Sequence, residues 1–307
     1  MNTQSNAVLE GASSRSSVPA TISVGQLFYW SIMRELWENR SIYIGPIAAG
    51  GVFLVGFLIS LMALRHGSHG PWPLAPEQIR DVLNERYELS AALIMGTALV
   101  VGIFYSLDAL YGERRDRTIL FWKSLPVSDL ITVLSKFSVP IIVLPLLSFA
   151  ITLATQFLML VLSSAILAGN GVSIGALWTH VEFVKVSLII LYHLLTVHGL
   201  WYAPLYGWLF LVSAWAPRAP FIWAVLPPFL IVGVERIAFS TSHLLGLLQE
   251  RLLGPSGAMA PEHTHKDFAA SLIPEHFLSV PGLWIGLAIA AVFIFGAVRL
   301  RRYRGPI

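Results

Sequence analysis

The sequence predicts an all-α integral membrane protein with six transmembrane helices, an N-terminal amphipathic interfacial helix and a helical outer excursion between spans five and six. Three observations lead there. Hydrophobic residues make up 56% of the 307 and charged residues only 12%, against roughly 45–50% and about 25% in soluble domains. Mean hydropathy is +0.71, so a soluble fold of this size would have too little charged surface to stay in solution. The apolar residues also gather into runs long enough to cross a bilayer, and ten Trp suit a chain that meets the water–lipid interface repeatedly. The whole chain, 1–307, reads as one transmembrane domain.

A helix needs about 20 apolar residues to cross roughly 30 Å of hydrocarbon. Residues 1–22 are polar and Ser-rich; without an apolar core they do not resemble a cleaved signal and are expected to be a disordered tail. Over 24–40 the period changes. Phe28, Tyr29, Trp30, Ile32, Met33, Leu36 and Trp37 fall on one face, and Ser31, Arg34, Glu35 and Glu38 on the other. That pattern predicts an amphipathic helix lying in the interface, with Arg34 and Glu38 paired at i, i+4. The six spans are predicted at Ile44–Leu64, Leu89–Leu107, Phe137–Leu167, Val186–Ala214, Ala219–Val234 and Leu283–Val298. The third and fourth exceed one bilayer thickness and carry Pro140, Pro145, Gly199, Pro204 and Gly207, so tilt or kinks are expected. The segment 235–282 mixes apolar pieces with Pro, Gly and His, which predicts short helices capping the outer mouth. Gly282, Gly286 and Ala290 form a small-residue stripe at the start of span six, which favours close helix packing within one subunit.

Six spans put both termini on one side. The segments on that side hold thirteen of the 20 Lys and Arg, so the positive-inside rule places the termini, the 108–136 loop and the 215–218 turn in the cytoplasm. The basic residues form no continuous face, which argues against nucleic acid despite a net charge of +3. With no cysteine, thiol chemistry and thiolate metal sites are excluded.

Motifs for catalysis are few. None of the four lysines, Lys123, Lys136, Lys185 and Lys266, sits in a glycine-rich phosphate loop. Gly171-Val-Ser-Ile-Gly175 matches G-x-S-x-G, but a turn between spans lacks the strand and helix that such a nucleophile requires. The His263/His265 and His66/His69 pairs lack a third ligand at fixed spacing, so no metal is assigned. Polar groups inside spans usually face the bundle interior. Thr97, Gln156, His193 and His198 are therefore the candidates for a substrate path. Asp108, at the inner end of span two, is the candidate for an orientation lock with Arg114 or Arg115.

The densest signal is the inner loop. Residues 111–124 carry Glu113, Arg114, Arg115, Asp116, Arg117 and Lys123 beside Ile119, Leu120 and Trp122. They predict a short charged helix from Arg114 to Lys123, broken at Ser124-Leu-Pro126. Ser128 or Asp129 caps the helix that becomes span three. A basic, aromatic-tipped helix then projects from the cytoplasmic face between two long spans.

Glu113-Arg-Arg-Asp116, Thr118, Ser124-Leu-Pro-Val-Ser128 and Lys136 make this loop similar to that of permease subunits of type-2 ABC exporters. Arg117 stands where that family has Gly, and Phe121-Trp-Lys123 is bulkier than usual. The resemblance implies a half-transporter without its own enzymatic activity. It would pair with a second copy or a paralogous permease, and with cytoplasmic ABC ATPase subunits that hold ATP and Mg. The ATPase-coupling residues would be Arg114, Arg115, Arg117, Phe121, Trp122, Lys123, Leu125 and Pro126, and the location the cytoplasmic (inner) membrane. The alternatives are a non-transporting membrane scaffold or sensor and a membrane-embedded enzyme; the latter needs clustered ionisable groups that the spans lack.

Overall fold

The computed structural model describes residues 23–65, 76–124, 127–167, 183–253 and 277–307. These are helical, with no strand among the described residues. The elements are α1 (Val24–Glu38), α2 (Ser41–Arg65), α3 (Pro76–Asp108), α4 (Tyr111–Arg115), α5 (Ile119–Ser124), α6 (Asp129–Ser138), α7 (Leu144–Leu167), α8 (Phe183–His193), α9 (Ala203–Trp215), α10 (Pro220–Phe239), α11 (His243–Leu253) and α12 (Pro281–Tyr303). Two π-helical segments interrupt them, Val139–Val143 between α6 and α7 and Leu194–Trp201 between α8 and α9. The expected tail 1–22 lies outside the described residues.

Among the described residues five helices are long and apolar enough to cross a membrane: Ser41–Ala63, Glu85–Arg115, Asp129–Ile166, Pro220–Phe239 and Pro281–Tyr303. The chain is thus a multi-pass membrane protein by length and composition. The fourth predicted run differs. Val186–Ala214 comprises α8, a π segment and α9 in succession. Pro204 enters at the first turn of α9, where a missing N–H leaves no helical bond unmade. Pro140 likewise stands in the first turn of the other π segment.

α1 ends at Glu38, two residues short of the prediction, where Asn39 leaves helical geometry. Its start is set by a reciprocal capping box. Ser23 Oγ accepts from the Gln26 N–H, and Gln26 Oε1 accepts from the Ser23 N–H, both at 3.2 Å. The helix packs on α6 through its charged side, with Glu35 fully buried. Tyr29, Trp30 and Trp37 face outward.

The bundle is built on two close groupings. α9 lies along α12, and α2 lies against α3 and α7. Apolar attraction between helices is weak in lipid, so small residues and close contact matter most. A Cβ at Gly207 would stand 3.3 Å from the Ala290 Cα and carbonyl oxygen. Of the small stripe in α12, Ala290 therefore faces α9 of the same chain, whereas Gly282 and Gly286 leave room for the Arg251 side chain. In the other grouping, Gly50 of α2 admits the Thr155 hydroxyl and Ile94. α10 is nearly bare, with Ala224 its one buried residue.

Beyond α10, within the segment 235–282 that the sequence predicts as an outer excursion, lies α11. The Glu235 carboxylate accepts from the His243 and Leu244 N–H groups at 2.6 and 3.0 Å, capping the exposed amides of its first turn. At the far end, the Arg251 guanidinium donates to the Trp201 and Gly282 carbonyls and stacks on the Trp201 ring at 4.1 Å. Residues 254–276 lie outside the described residues.

Gly207→Leu is expected to force α9 and α12 apart and cost about 1–3 kcal/mol, the usual range for overpacking. Thermal unfolding in detergent, followed by loss of the monodisperse size-exclusion peak, checks this; an unchanged midpoint would contradict the close approach.

Candidate functional site

The loop between α3 and α6 is anchored before it projects. Ser213 Oγ, at the end of α9, accepts from the Leu110 and Tyr111 N–H groups at 3.0 and 2.9 Å. Arg114 donates to the Ala214 and Ala216 carbonyls at 2.7 and 3.3 Å, where the last helical carbonyls lack partners and carry partial negative charge. So α4 is pinned to the C-terminal end of α9.

The single helix expected over 114–123 is two short helices. Asp116–Thr118 separates them, and Arg117 takes φ 58°, a left-handed conformation that favours glycine. That is the position where the resembling family has Gly. The break turns Arg114 inward, to 5% exposure. Arg114 therefore supports the loop from inside and offers no contact surface. Arg115, Arg117, Phe121 and Lys123 remain exposed, as does Leu120. Phe121 meets Trp122 edge-on at 4.9 Å. Lys123 donates to the carbonyls of Arg302 and Arg304. Leu125 and Pro126 lie outside the described residues. Ser128, as expected, caps α6 by accepting from the Ile131 N–H.

Behind this projection lies a buried charge cluster. Lys136 Nζ is 2.8 Å from Glu35 Oε1 and 3.3 Å from Glu113 Oε1. Glu35 also accepts from Arg34 at 2.6 Å and from the Tyr105 hydroxyl at 2.9 Å. Glu113 pairs with Arg301 at 3.2 Å, and Arg301 pairs in turn with Asp129. Three cations meet three carboxylates, and five helices contribute to the cluster: α1, α3, α4, α6 and α12. Arg34 also stacks on Trp122 at 3.9 Å, joining the cluster to α5. Burial by itself would raise the Glu35 carboxyl; the Lys136 ammonium and Arg34 outweigh it and hold the group below its usual value.

Sequence reasoning did not bring these residues together, although Glu113 and Lys136 stood within the quoted loop. One signal was present. Lys136 stands at the entry to the apolar run Phe137–Leu167, and an ion there demands a counter-ion. Asp108, the expected lock, pairs with Arg115 at 3.4 Å, and both side chains are about half exposed. Such pairs contribute at most about 1 kcal/mol.

The expected path residues do not converge. Thr97 donates to the Leu93 carbonyl and lies beside Gly45 of α2. Gln156 is buried and donates to the Tyr87 carbonyl. His193 and His198 sit around the second π segment with ring centroids 6.4 Å apart. His198 packs edge-on against Tyr202 at 5.3 Å, and neither of its ring nitrogens makes a well-formed hydrogen bond. No group of three or more potential metal ligands gathers among the described residues. His66, His69, His180, His263, His265 and His276 and the Gly171–Gly175 motif lie outside them.

No family model, curated protein or solved structure matches this chain.

Lys136→Met leaves Glu35 and Glu113 buried without their shared cation. It is expected to cost about 3–5 kcal/mol, read as loss of monodisperse protein after extraction. Glu35→Gln tests the titration. Because the folded carboxyl sits below its usual 4.5, its stabilisation is complete above that pH and disappears as pH falls through the folded-state value. The melting-temperature gap between wild type and Glu35→Gln should be flat above pH 4.5 and close below it; a gap that widens on acidification would reverse the sign.

Proposed function

We propose that this chain is the membrane subunit of an ATP-driven exporter, coupled to separate ATPase subunits through the loop after its second span. The observation that carries the reading is the pairing of an exposed apolar and basic helix with a buried ion cluster. α5 presents Leu120 and Phe121 at 59% and 60% exposure, beside the exposed Arg117 and Lys123. Behind it, Trp122 and Arg34 lead to Glu35, Lys136, Glu113 and Arg301. A push on α5 therefore reaches α1, α6 and α12 through charged contacts that cannot separate cheaply in a low-dielectric interior. That is what a subunit driven by someone else's nucleotide cycle needs: an external surface whose displacement changes the balance between two arrangements of its spans.

Topology supports the same reading. The end of α1, the α4–α5 loop and the end of α12 touch one another, so they lie on one side. Five crossings would leave the ends on opposite sides. The α8–π–α9 run supplies the sixth crossing, and the positive-inside bias makes the shared side cytoplasmic. On this reading the membrane is the cytoplasmic (inner) one. The second half of the pathway is another copy or a paralogue, and ATP and Mg belong to the ATPase partner.

Arg117→Glu combined with Phe121→Ala alters only exposed side chains. The double variant is expected to insert and purify normally and to lose co-purification with an ATP-hydrolysing subunit. Wild-type protein that never captures such a subunit from its native membrane, or a double variant that captures it equally well, would overturn the proposal.

A further inference from the structure

The outward face of α12 carries a second arrangement, joined to the loop only through Lys123. Ile285, Ile289, Val292 and Phe295 recur at helical spacing, and all are exposed. In a bilayer this stripe meets acyl chains. The same stripe ends in Arg299, Arg302 and Tyr303, which are also exposed. At 1.5 Å per residue these arginines come about 22 and 27 Å after the outward-facing Trp284, close to the roughly 30 Å depth of the hydrocarbon. Their guanidinium groups therefore reach the level of the lipid phosphates.

Among the described residues nothing neutralises them: no carboxylate lies within ion-pair distance of Arg299 or Arg302. The acidic groups nearby are already engaged: Glu113 and Asp129 with the buried Arg301, and Asp116 with Arg115. Further positive charge gathers at the same end. The Lys123 ammonium sits on the carbonyls of Arg302 and Arg304, and Arg304 is held by donating to the Trp215 carbonyl at 2.7 Å. Arg299 is placed between two rings, 5.9 Å from Phe295 and 5.6 Å from Tyr303.

We propose that Arg299, Arg302 and Lys123, flanked by Phe295 and Tyr303, form a binding site for the headgroup of an anionic phospholipid in the leaflet on the loop side. Uncompensated cations at headgroup depth call for a phosphate-bearing partner. The apolar stripe running away from them calls for acyl chains on the same molecule. Val292, Phe295 and Tyr303 are 67%, 65% and 71% exposed, a surface that a soluble phosphate would leave uncovered. The site rests on the membrane reading of the chain and needs no ATPase partner, so it stands or falls apart from the exporter proposal.

The test uses the full chain in nanodiscs of mixed phosphatidylcholine and phosphatidylglycerol, with retained lipids identified by native mass spectrometry after release. Wild type is expected to retain phosphatidylglycerol preferentially. Each arginine removed in Arg299→Gln and in the Arg299→Gln/Arg302→Gln pair should lower that preference about fivefold. Arg→Lys at both positions should largely preserve it, and Arg236→Gln, at the far end of α10, should leave it intact. Equal retention of the two lipids by wild type overturns the proposal, as does undiminished preference in the double glutamine variant. Abolition of the preference by inorganic phosphate would assign the arginines to a soluble anion instead.

Discussion

The Lys136 ammonium is enclosed between the carboxylates of Glu35 and Glu113, and the positions of three helices follow from that enclosure. An isolated ion in such surroundings loses several kilocalories per mole of hydration that only close, well-directed partners recover. Glu35 must therefore come from α1 and Glu113 from α4 to the same point on α6. Arg301 then compensates the second oxygen of Glu113 and reaches Asp129, which fixes the inner end of α12 against the start of α6. Apolar packing in lipid leaves helices free to slide and rotate; the ion cluster removes that freedom at one end of the bundle.

This arrangement explains why the amphipathic reading of α1 was correct in period and incomplete in meaning. In water the apolar stripe of a helix turns inward. Here Tyr29, Trp30 and Trp37 face out and Glu35 faces in, toward Lys136 and Arg34. The runs that became α2, α7, α10 and α12 were legible since length and apolarity alone decide them, and Ser128 was legible because capping is a local event. The partners of Lys136 were not. They lie 101, 23 and 165 residues away, if Arg301 is counted through Glu113, and no local period carries that information. Arg114 was misplaced for a related reason: its inward turn follows from the left-handed Arg117, and a charged side chain in a basic loop reads as solvent-facing until that backbone break is known.

The two proposals assign different roles to one end of the molecule. The α5 surface is directed away from the bundle and linked inward by Arg34 and Trp122, so it suits a protein partner that moves. The arginines of α12 look sideways, past Phe295, into the lipid, and suit a partner that stays. Arg301, between them in sequence, belongs to neither surface because its guanidinium is used up by Glu113 and Asp129. The three arginines at 299, 301 and 302 thus divide between two directions, because positions three apart share a face of the helix and the one between them does not.

The two π segments face each other across the bundle, where a side chain at Gly199 would strike the Ile141 carbonyl at 3.2 Å. Each segment closes its turns with one more residue than an α-helix uses, so everything downstream is rotated by about 100° relative to an uninterrupted rod. The angular settings of α7 and α9 are therefore stored in single surplus residues. Excising one residue from 194–201 would turn α9 about its axis and swing Ser213 away from the amides of Leu110 and Tyr111. The loop would come unmoored without any of its own residues having changed. In this protein the number of residues in the 194–201 segment is as much a determinant of the loop's position as the identity of the side chains that grip it.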